Sequence, residues 1–283
     1  MRVTIVSKGN VIYEIRRLAE ELTHRGNSVQ IINPLFSLQD VFRDEWWRTY
    51  TDTDVLYYRT GLGDAPRTEL TRRLLDTNVR CINKVAIDHH LLSNKVYQAI
   101  QVLRAGNVPV PKTYFGRGHI YAELVKSLGQ KFVLKAAQGI QGKKVTLITN
   151  EQEYNDSVQQ LSGDILMQEF IPNTGDFRVF IIGGVTQAIF KRIPKDGDFR
   201  ANMSQGGRGE IVTDVRLRTL LSQYAESVAT LIGLDVAGID LMQHSITGEL
   251  YFIESNVNPG WKGLDETLGT NMAATLADFI LAQ

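Results

Sequence analysis

Leu250-Tyr251-Phe252-Ile253-Glu254-Ser255-Asn256-Val257-Asn258-Pro259-Gly260 is an apolar run that ends in oxygen-bearing side chains. Leu250 to Ile253 has the aromatic and β-branched bias of a buried strand. Alternation along that strand places Glu254, Asn256 and Asn258 on one face. Pro259-Gly260 stops it, because proline cannot donate to a ladder. Upstream, Val236-Ala237-Gly238-Ile239-Asp240-Leu241-Met242 is a second apolar run with a carboxylate in its middle, and Ser245-Ile246-Thr247-Gly248 reads as the hairpin turn between them. Antiparallel pairing would bring Asp240 beside Glu254 and Asn256. Two acids and an amide, with no histidine or cysteine near, make a hard-oxygen set suited to magnesium with phosphate. Taken alone, the same residues also suit a polar strand end facing solvent.

Size and composition frame this hairpin. At 283 residues the chain exceeds one typical domain, so two or three domains sharing a core are expected. Hydrophobic residues are 43% and charged residues 22%, the profile of a soluble globular protein. Lys+Arg and Asp+Glu are both 31, so no net charge points to a nucleic-acid or membrane surface. The lone Cys81 cannot form an internal disulfide, and the histidines make no zinc pattern. No apolar run reaches membrane-spanning length, and Met1 to Ser7 reads as a strand rather than a signal peptide, so a cytoplasmic protein is expected.

Strand and helix patterns alternate at the start of the chain. Val3 to Val6, Val29 to Ile32, Asp54 to Tyr58 and Cys81-Ile82 read as strands. Ile15, Leu18, Ala19 and Leu22 recur at helical spacing with Gly26 as a C-cap, and Leu70, Leu74 and Leu75 belong to a second helix. This alternation predicts an open parallel sheet with helices on both faces. Gly61-Leu62-Gly63-Asp64-Ala65-Pro66 lacks the last glycine of a dinucleotide fingerprint and follows a later strand, so it argues against one. Phe36 to Tyr50 reads as an irregular insertion.

Asn83 to His90 reads as the crossing into a second domain. Lys95 to Ala105 is helical, with Val96, Ala99, Ile100 and Leu103 expected on its apolar face. Phe132 to Lys135, a glycine-containing loop and Val145 to Ile148 then read as strand–loop–strand, unlike the strand–loop–helix of a P-loop. The small residues of that loop let backbone N–H groups approach a phosphate, and Lys135 adds a point charge. A helix from Glu151 to Leu161 leads to a strand from Ile165 to Pro172. Gly183-Gly184 marks a hairpin between Asp176–Ile182 and Val185–Arg192. A polar loop from Ile193 to Glu210 holds Arg200, Asn202 and Arg208, and its length and composition favour either an anion site or a solvated surface. Helices from Leu217 to Ile232 and from Met272 to Leu281 complete the pattern.

In register, these pieces resemble the ATP-grasp ligases, specifically the RimK family of ATP-dependent glutamate and amino-acid ligases. The resemblance is carried by Lys95 opening a helix, Val133-Leu134-Lys135, Gln138-Gly139-Ile140-Gln141-Gly142, Gln168-Glu169-Phe170-Ile171 and Asp176-Phe177-Arg178. It continues through Gly197-Asp198-Phe199-Arg200-Ala201-Asn202, Gly206-Gly207, Asp235 to Asp240, and Glu254 to Gly260. It implies an α/β chain, α+β in its C-terminal half, with a parallel pre-ATP-grasp domain at 1–90. A central lid subdomain at 91–168 and a metal- and substrate-binding subdomain at 169–283 would follow.

The resemblance also implies roles. Lys95 and Lys135, with the loop containing Gln138, Gly139 and Gly142, would hold ATP phosphates. Gln168 to Ile171 would bind adenine, Glu169 accepting from its amino group and Ile171 pairing through its backbone, and Asp176 would hold the ribose. Lys191 and Arg192 would lie over the phosphates. Asp240, Glu254 and Asn256 would hold Mg2+, with Mn2+ as a substitute. Arg200 and Asn202 would meet the carboxylate being phosphorylated and the acyl phosphate formed from it. Glycines at the tip of the Gly139–Gly142 hairpin and a small domain reached through proline-bounded linkers suggest that this hairpin and the segment from about Phe115 to Leu128, taken as a loop, move as a lid. The metal strand reads Glu-Ser-Asn where well-known relatives have Glu-Val-Asn, and Ser255 is expected to face away. The implied partners are ATP, a small-molecule, peptide or protein-tail carboxylate, and an amine such as glutamate, on a homo-oligomer (dimer or tetramer). A nucleotide-binding regulator without turnover, or a phosphotransferase that forms no amide, are the alternatives.

Overall fold

Strands β1 (Arg2–Val6), β2 (Ser28–Ile32), β3 (Val55–Tyr58) and β4 (Arg80–Ile82) form the expected parallel sheet, in the order β2-β1-β3-β4. The computed structural model describes residues 1–9, 12–34, 42–59, 62–137, 145–195 and 207–282. Alternation sends Val3, Ile5, Val55 and Tyr57 to one face, where helix α1 (Tyr13–His24) packs through Ile15, Leu18 and Leu22. Val6, Leu56 and Tyr58 face the other way, against α2 (Asp44–Thr51) and α3 (Asp64–Leu74). Part of the expected irregular insertion is therefore helix α2. Trp47 and Tyr50, three residues apart, share its buried face, and Trp46 packs edge-on against both. Leu75 falls just beyond α3 and is 71% exposed, so it does not join the apolar face read for it.

After the short helix α4 (Lys84–Asp88), helix α5 (Lys95–Ala105) has the expected bounds but a different buried face. Gln98 and Val102 point inward, while Ile100 and Leu103 are exposed. The polar Gln98 is tolerated there because its amide is fully engaged with backbone, as described below.

The second sheet is antiparallel, in the order β5-β8-β6-β7, from β5 (Thr113–Phe115), β6 (Phe132–Ala136), β7 (Val145–Ile148) and β8 (Ile165–Glu169). Helices α6 (Tyr121–Leu128) and α7 (Glu151–Gln160) close a separate small core with Phe132, Leu134, Ile148, Ile165 and Met167. Most of the segment from Phe115 to Leu128, read as a loop, is thus helix α6, whose Leu124 and Leu128 are buried four residues apart. Strand β8 ends at Glu169, short of the Pro172 expected.

The third sheet runs β11-β10-β9-β12-β13, all antiparallel, from β9 (Asp176–Ile182), β10 (Val185–Ile193), β11 (Arg208–Ile211), β12 (Val236–Gln243) and β13 (Leu250–Asn256). Gly183 and Gly184 turn the β9–β10 hairpin with φ of 61° and 77°, a left-handed pair that side chains disfavour. Helix α8 (Val215–Ile232) covers one face, together with Phe177, Val179, Ile181, Ala237, Ile239 and Phe252. The opposite face is divided. Phe180, Ile182, Phe190 and Val236 pack on the N-terminal unit, Trp261 and helices α9 (Lys262–Leu268) and α10 (Met272–Leu281), while Asp176, Arg178, Arg192 and Asp240 form a polar half. Asn83 fastens the two units: its amide pairs with both backbone groups of Val236 at 2.8 and 2.9 Å and donates to the Val257 carbonyl at 3.1 Å.

Candidate active site

The polar half of the third sheet gathers charge. Asp240 pairs directly across from Glu254, with a bulge before the next pair, Leu241 and Phe252. The extra residue lets Phe252 stay in the core while Glu254, two positions on, turns to the polar face, the re-aiming that bulges supply beside sites. Asn256 Nδ2 lies 3.4 Å from both Asp240 Oδ2 and Glu254 Oε1. The three expected metal ligands therefore converge. Asn258 lies beyond the strand and is exposed, so it does not share their face.

Cations surround these carboxylates. Arg178 clasps Asp240 through Nε and Nη2. Arg192 clasps Asp176, both contacts 2.6 Å, and its Nη2 also reaches Asp240 at 2.8 Å. Burial raises the Asp240 carboxyl, but the two guanidiniums outweigh it and hold the group below its ordinary range. Burial and the charge of Asp240 push Asp176 the other way, against Arg192. Such buried charges persist only when paired and hydrogen-bonded, which this four-membered cluster achieves. Glu254 meets Lys95 at 2.6 Å. Lys95 opens α5, and its N–H donates to the Ala137 carbonyl at 3.0 Å, tying that helix to the end of β6.

Lys135, on β6, is 5% exposed, and its ammonium donates to Gln168 Oε1 at 2.8 Å. Burial pushes its pKa down to about 8; Glu254 draws it up and Lys95 pushes it further down. Gln168 donates in turn to Thr113 at 2.8 Å. The Glu169 carboxylate accepts from the Lys112 N–H at 2.7 Å. Phe170 is half-buried, and Ile171 is buried with its carbonyl accepting from Asn173 at 2.7 Å.

One pair does not come together. Lys191 and Arg192 are successive residues of β10, so alternation sends them to opposite faces. Lys191 bonds Thr174 at 2.7 Å and lies 5.9 Å from the Phe177 ring, on the side away from Asp240. Only Arg192 of the two faces Asp240. Gln138, Gly139, Gly142, Arg200 and Asn202 lie outside the described residues.

A family model described as the RimK-like ATP-grasp domain matches residues 93–280. The chain belongs to the RimK-like ATP-grasp family. It is similar to a probable alpha-L-glutamate ligase of Saccharophagus degradans, 30% identical over 299 residues that cover 100% of this chain and 96% of that protein. A similar ligase of Legionella pneumophila is 30% identical over 99% of this chain and 95% of its own length. The fold matches the crystal structure of a RimK domain ATP-grasp protein from Sphaerobacter thermophilus, with a TM-score of 0.71, 19% identity and both chains covered in full. The ATP-grasp ligase PsnB, solved with a minimal precursor, Mg and ADP, gives a TM-score of 0.71 at 16% identity over 99% of this chain and 97% of that one.

The donor set of this RimK-like protein fits a hard cation. No group of three His, Cys, Asp or Glu gathers among the described residues. Two carboxylates and an amide suit an ion that takes its remaining ligands from phosphate and water. A half-turn of the Asn256 amide presents its oxygen where the nitrogen now sits.

Three engaged residues are given no role by the motif reading. Arg178 shares a strand face with Asp176 by simple alternation, a signal present in the sequence. Gln98 is one of two glutamines on a helix that also carries Lys95 and Arg104, so its inward position has no distinguishing signal in the sequence. Arg59, at the end of an apolar strand, carries no local signal at all.

Proposed function

We propose that this chain is an ATP-dependent carboxylate–amine ligase. The observation that carries this reading is the convergence of Asp240, Glu254 and Asn256 with Lys95, Lys135 and Arg192 where the second and third sheets meet. Lys95, Lys135 and Arg192 neutralise the phosphates of ATP, and the strand end from Gln168 to Ile171 receives adenine. Asp176 spends two lone pairs on Arg192 and keeps others for a ribose hydroxyl. Asp240, Glu254 and Asn256 hold Mg2+, with Mn2+ as a substitute; the cation supplies charge compensation for the transferring phosphoryl group.

The substrate carboxylate oxygen attacks the γ-phosphorus and ADP leaves. An amine nitrogen then attacks the acyl carbon, phosphate departs, and the nitrogen loses a proton, leaving an amide. No protein nucleophile is required, so the chain's own contribution is alignment and charge neutralisation. Arg200 and Asn202 are assigned to the acyl phosphate: a guanidinium bridges two oxygens at once, and an amide donates to a carbonyl.

The curated relatives named as alpha-L-glutamate ligases support glutamate as the amine. The neighbour PsnB, solved with a precursor peptide, supports a peptide or protein-tail carboxylate. A cytoplasmic location and a homo-oligomer, dimer or tetramer, belong to the same proposal; light scattering tests the latter. No helix among the described residues is long and apolar enough to cross a membrane.

The test is ADP release across a panel of acids and amines, with hydroxylamine present to trap acyl phosphate as a hydroxamate. Amine-dependent amide formation and a trapped hydroxamate are expected. ADP release without hydroxamate favours the phosphotransferase alternative, and nucleotide binding without turnover favours the regulator.

A further inference from the structure

The order of the N-terminal sheet reverses between β1 and β3: β1 pairs with β2 on one side and β3 on the other. In open parallel sheets, ligands settle in the crevice outside the carboxyl ends of such a pair. Arg59 follows β3 at that end, its N–H donating to the Val6 carbonyl at 2.8 Å. The residue is only 9% exposed. Its guanidinium lies over the rings of Tyr57 and Trp261, at 5.6 and 5.1 Å.

Nη2 donates to the Pro259 carbonyl at 3.0 Å, but Nη1 is buried and has no hydrogen-bond partner. Among the described residues no acidic side chain forms an ion pair with Arg59. Glu14, which reaches the same segment, is committed elsewhere: its Oε1 accepts from the N–H groups of Trp261 at 3.0 Å and Lys262 at 3.3 Å. A buried, unpaired donor on a charged group costs the free protein stability, and the two aromatic rings offset only part of that. An anionic ligand removes the cost.

Position narrows the choice of ligand. Pro259 lies against Gly238, where an added Cβ would sit 3.0 Å from Pro259 Cβ and 2.9 Å from Arg178 Cδ. Arg178 in turn holds Asp240. Arg59 is thus linked through Pro259 and Arg178 to the metal carboxylate. It comes from the N-terminal sheet, whereas the phosphate cations Lys95 and Lys135 come from α5 and the second sheet. Nη1 is closed to water in the free chain, and Gly260, next to the Pro259 that Arg59 holds, is exposed.

We propose that Arg59 receives the non-reacting carboxylate of the amino acid that supplies the amine. The assignment rests on the ligase reading above. A planar guanidinium matches a carboxylate in a way a lysine does not, and a site built around a buried charged donor rejects an analogue that leaves it unpaired. Arg59 is then the residue that distinguishes an amino acid from a simple amine.

Calorimetric titration of the full chain with MgADP, then with each of the twenty L-amino acids and their α-amides, tests this. The parent is expected to bind at least one amino acid and to bind the matching amide far more weakly, with the glutamate and glutamine pair reading the side-chain carboxylate. Arg59→Met is expected to weaken amino-acid binding roughly thirtyfold or more while MgADP binds as in the parent. Arg59→Lys, which keeps the cation over Trp261 without the fork, should fall between them and serves as the measure if Arg59→Met does not fold. Unchanged amino-acid affinity in the variants, equal binding of acids and amides, or no amino acid bound by a parent that binds MgADP would each overturn the proposal. Lost MgADP affinity with amino-acid binding kept would move Arg59 to the nucleotide. A parent that binds no MgADP would overturn the ligase reading, and this assignment with it.

Discussion

Gln98 pairs with both backbone groups of Ser255: its Nε2 donates to the Ser255 carbonyl at 2.9 Å and its Oε1 accepts from the Ser255 N–H at 3.0 Å. Ser255 stands between Glu254 and Asn256 on β13, the edge strand of the third sheet. The amide acts as a one-residue strand on that open edge. Because α5 also carries Lys95, one helix fixes both a proposed phosphate cation and the strand of the proposed metal ligands Glu254 and Asn256.

Gln98→Leu should cost about 2–4 kcal/mol in chemical denaturation, since the Ser255 N–H and carbonyl lose their partner. It should also raise the Mg2+ concentration needed for half-maximal ADP binding. A destabilised variant whose Mg2+ dependence matches the parent would reduce Gln98 to a brace without influence on the metal.

Lys95 rests on Glu254 in the free chain. Glu254→Gln should abolish most Mg2+-dependent gain in ADP affinity. Affinity in EDTA should hold or improve, because Lys95 no longer has a carboxylate to leave. The side chains are 14% and 25% exposed, so the fold should change by only about 1 kcal/mol or less. Calorimetry with and without Mg2+ reads both effects, and an intact Mg2+ response would remove Glu254 from the metal set.

The second sheet carries its own small core, while the N-terminal unit and third sheet share theirs through Phe180, Val236, Trp261 and α10. Motion on nucleotide binding should therefore centre on the second sheet. Amide exchange in β6, β7 and α6 should slow with a non-hydrolysable ATP analogue, while exchange in β1 and β3 stays as it was. Equal exchange of β6 and β7 in both states would remove the lid.

The sequence shows most of the sheets, because the parallel strands, the Gly183-Gly184 hairpin and the Asp240–Glu254 pairing all rest on local pattern. What it hides is non-local. Strict alternation puts Glu254 on the face of Leu250 and Phe252, both buried, and only the bulge resolves that conflict. The buried face of α5 has no local signature, because Gln98 is stabilised by backbone 157 residues away. Lys191 and Arg192 are equivalent by charge, and strand geometry separates them.

Lys135 links stability, pH and binding. Its ammonium has a pKa lowered to about 8 from 10.5, chiefly by burial, so the folded chain holds it charged at a cost that is full below pH 8. Between about 8 and 10.5 the unfolded chain binds more protons than the folded one, and stability from this group rises with pH. The shift corresponds to roughly 3 kcal/mol, and about 1 kcal/mol is returned by the bond to Gln168. Lys135→Met should therefore stabilise the nucleotide-free chain at pH 7 by roughly 1–2 kcal/mol, and this gain should vanish as pH approaches 10.5. The same variant should lose nucleotide affinity, since it lacks a phosphate cation. In the parent, nucleotide phosphates should draw the pKa back up, so ADP binding near pH 8 should take up protons, seen by calorimetry in buffers of different ionisation enthalpy. A variant less stable than the parent at pH 7, together with no proton uptake on binding, would show that Lys135 is neither strained by burial nor relieved by phosphate.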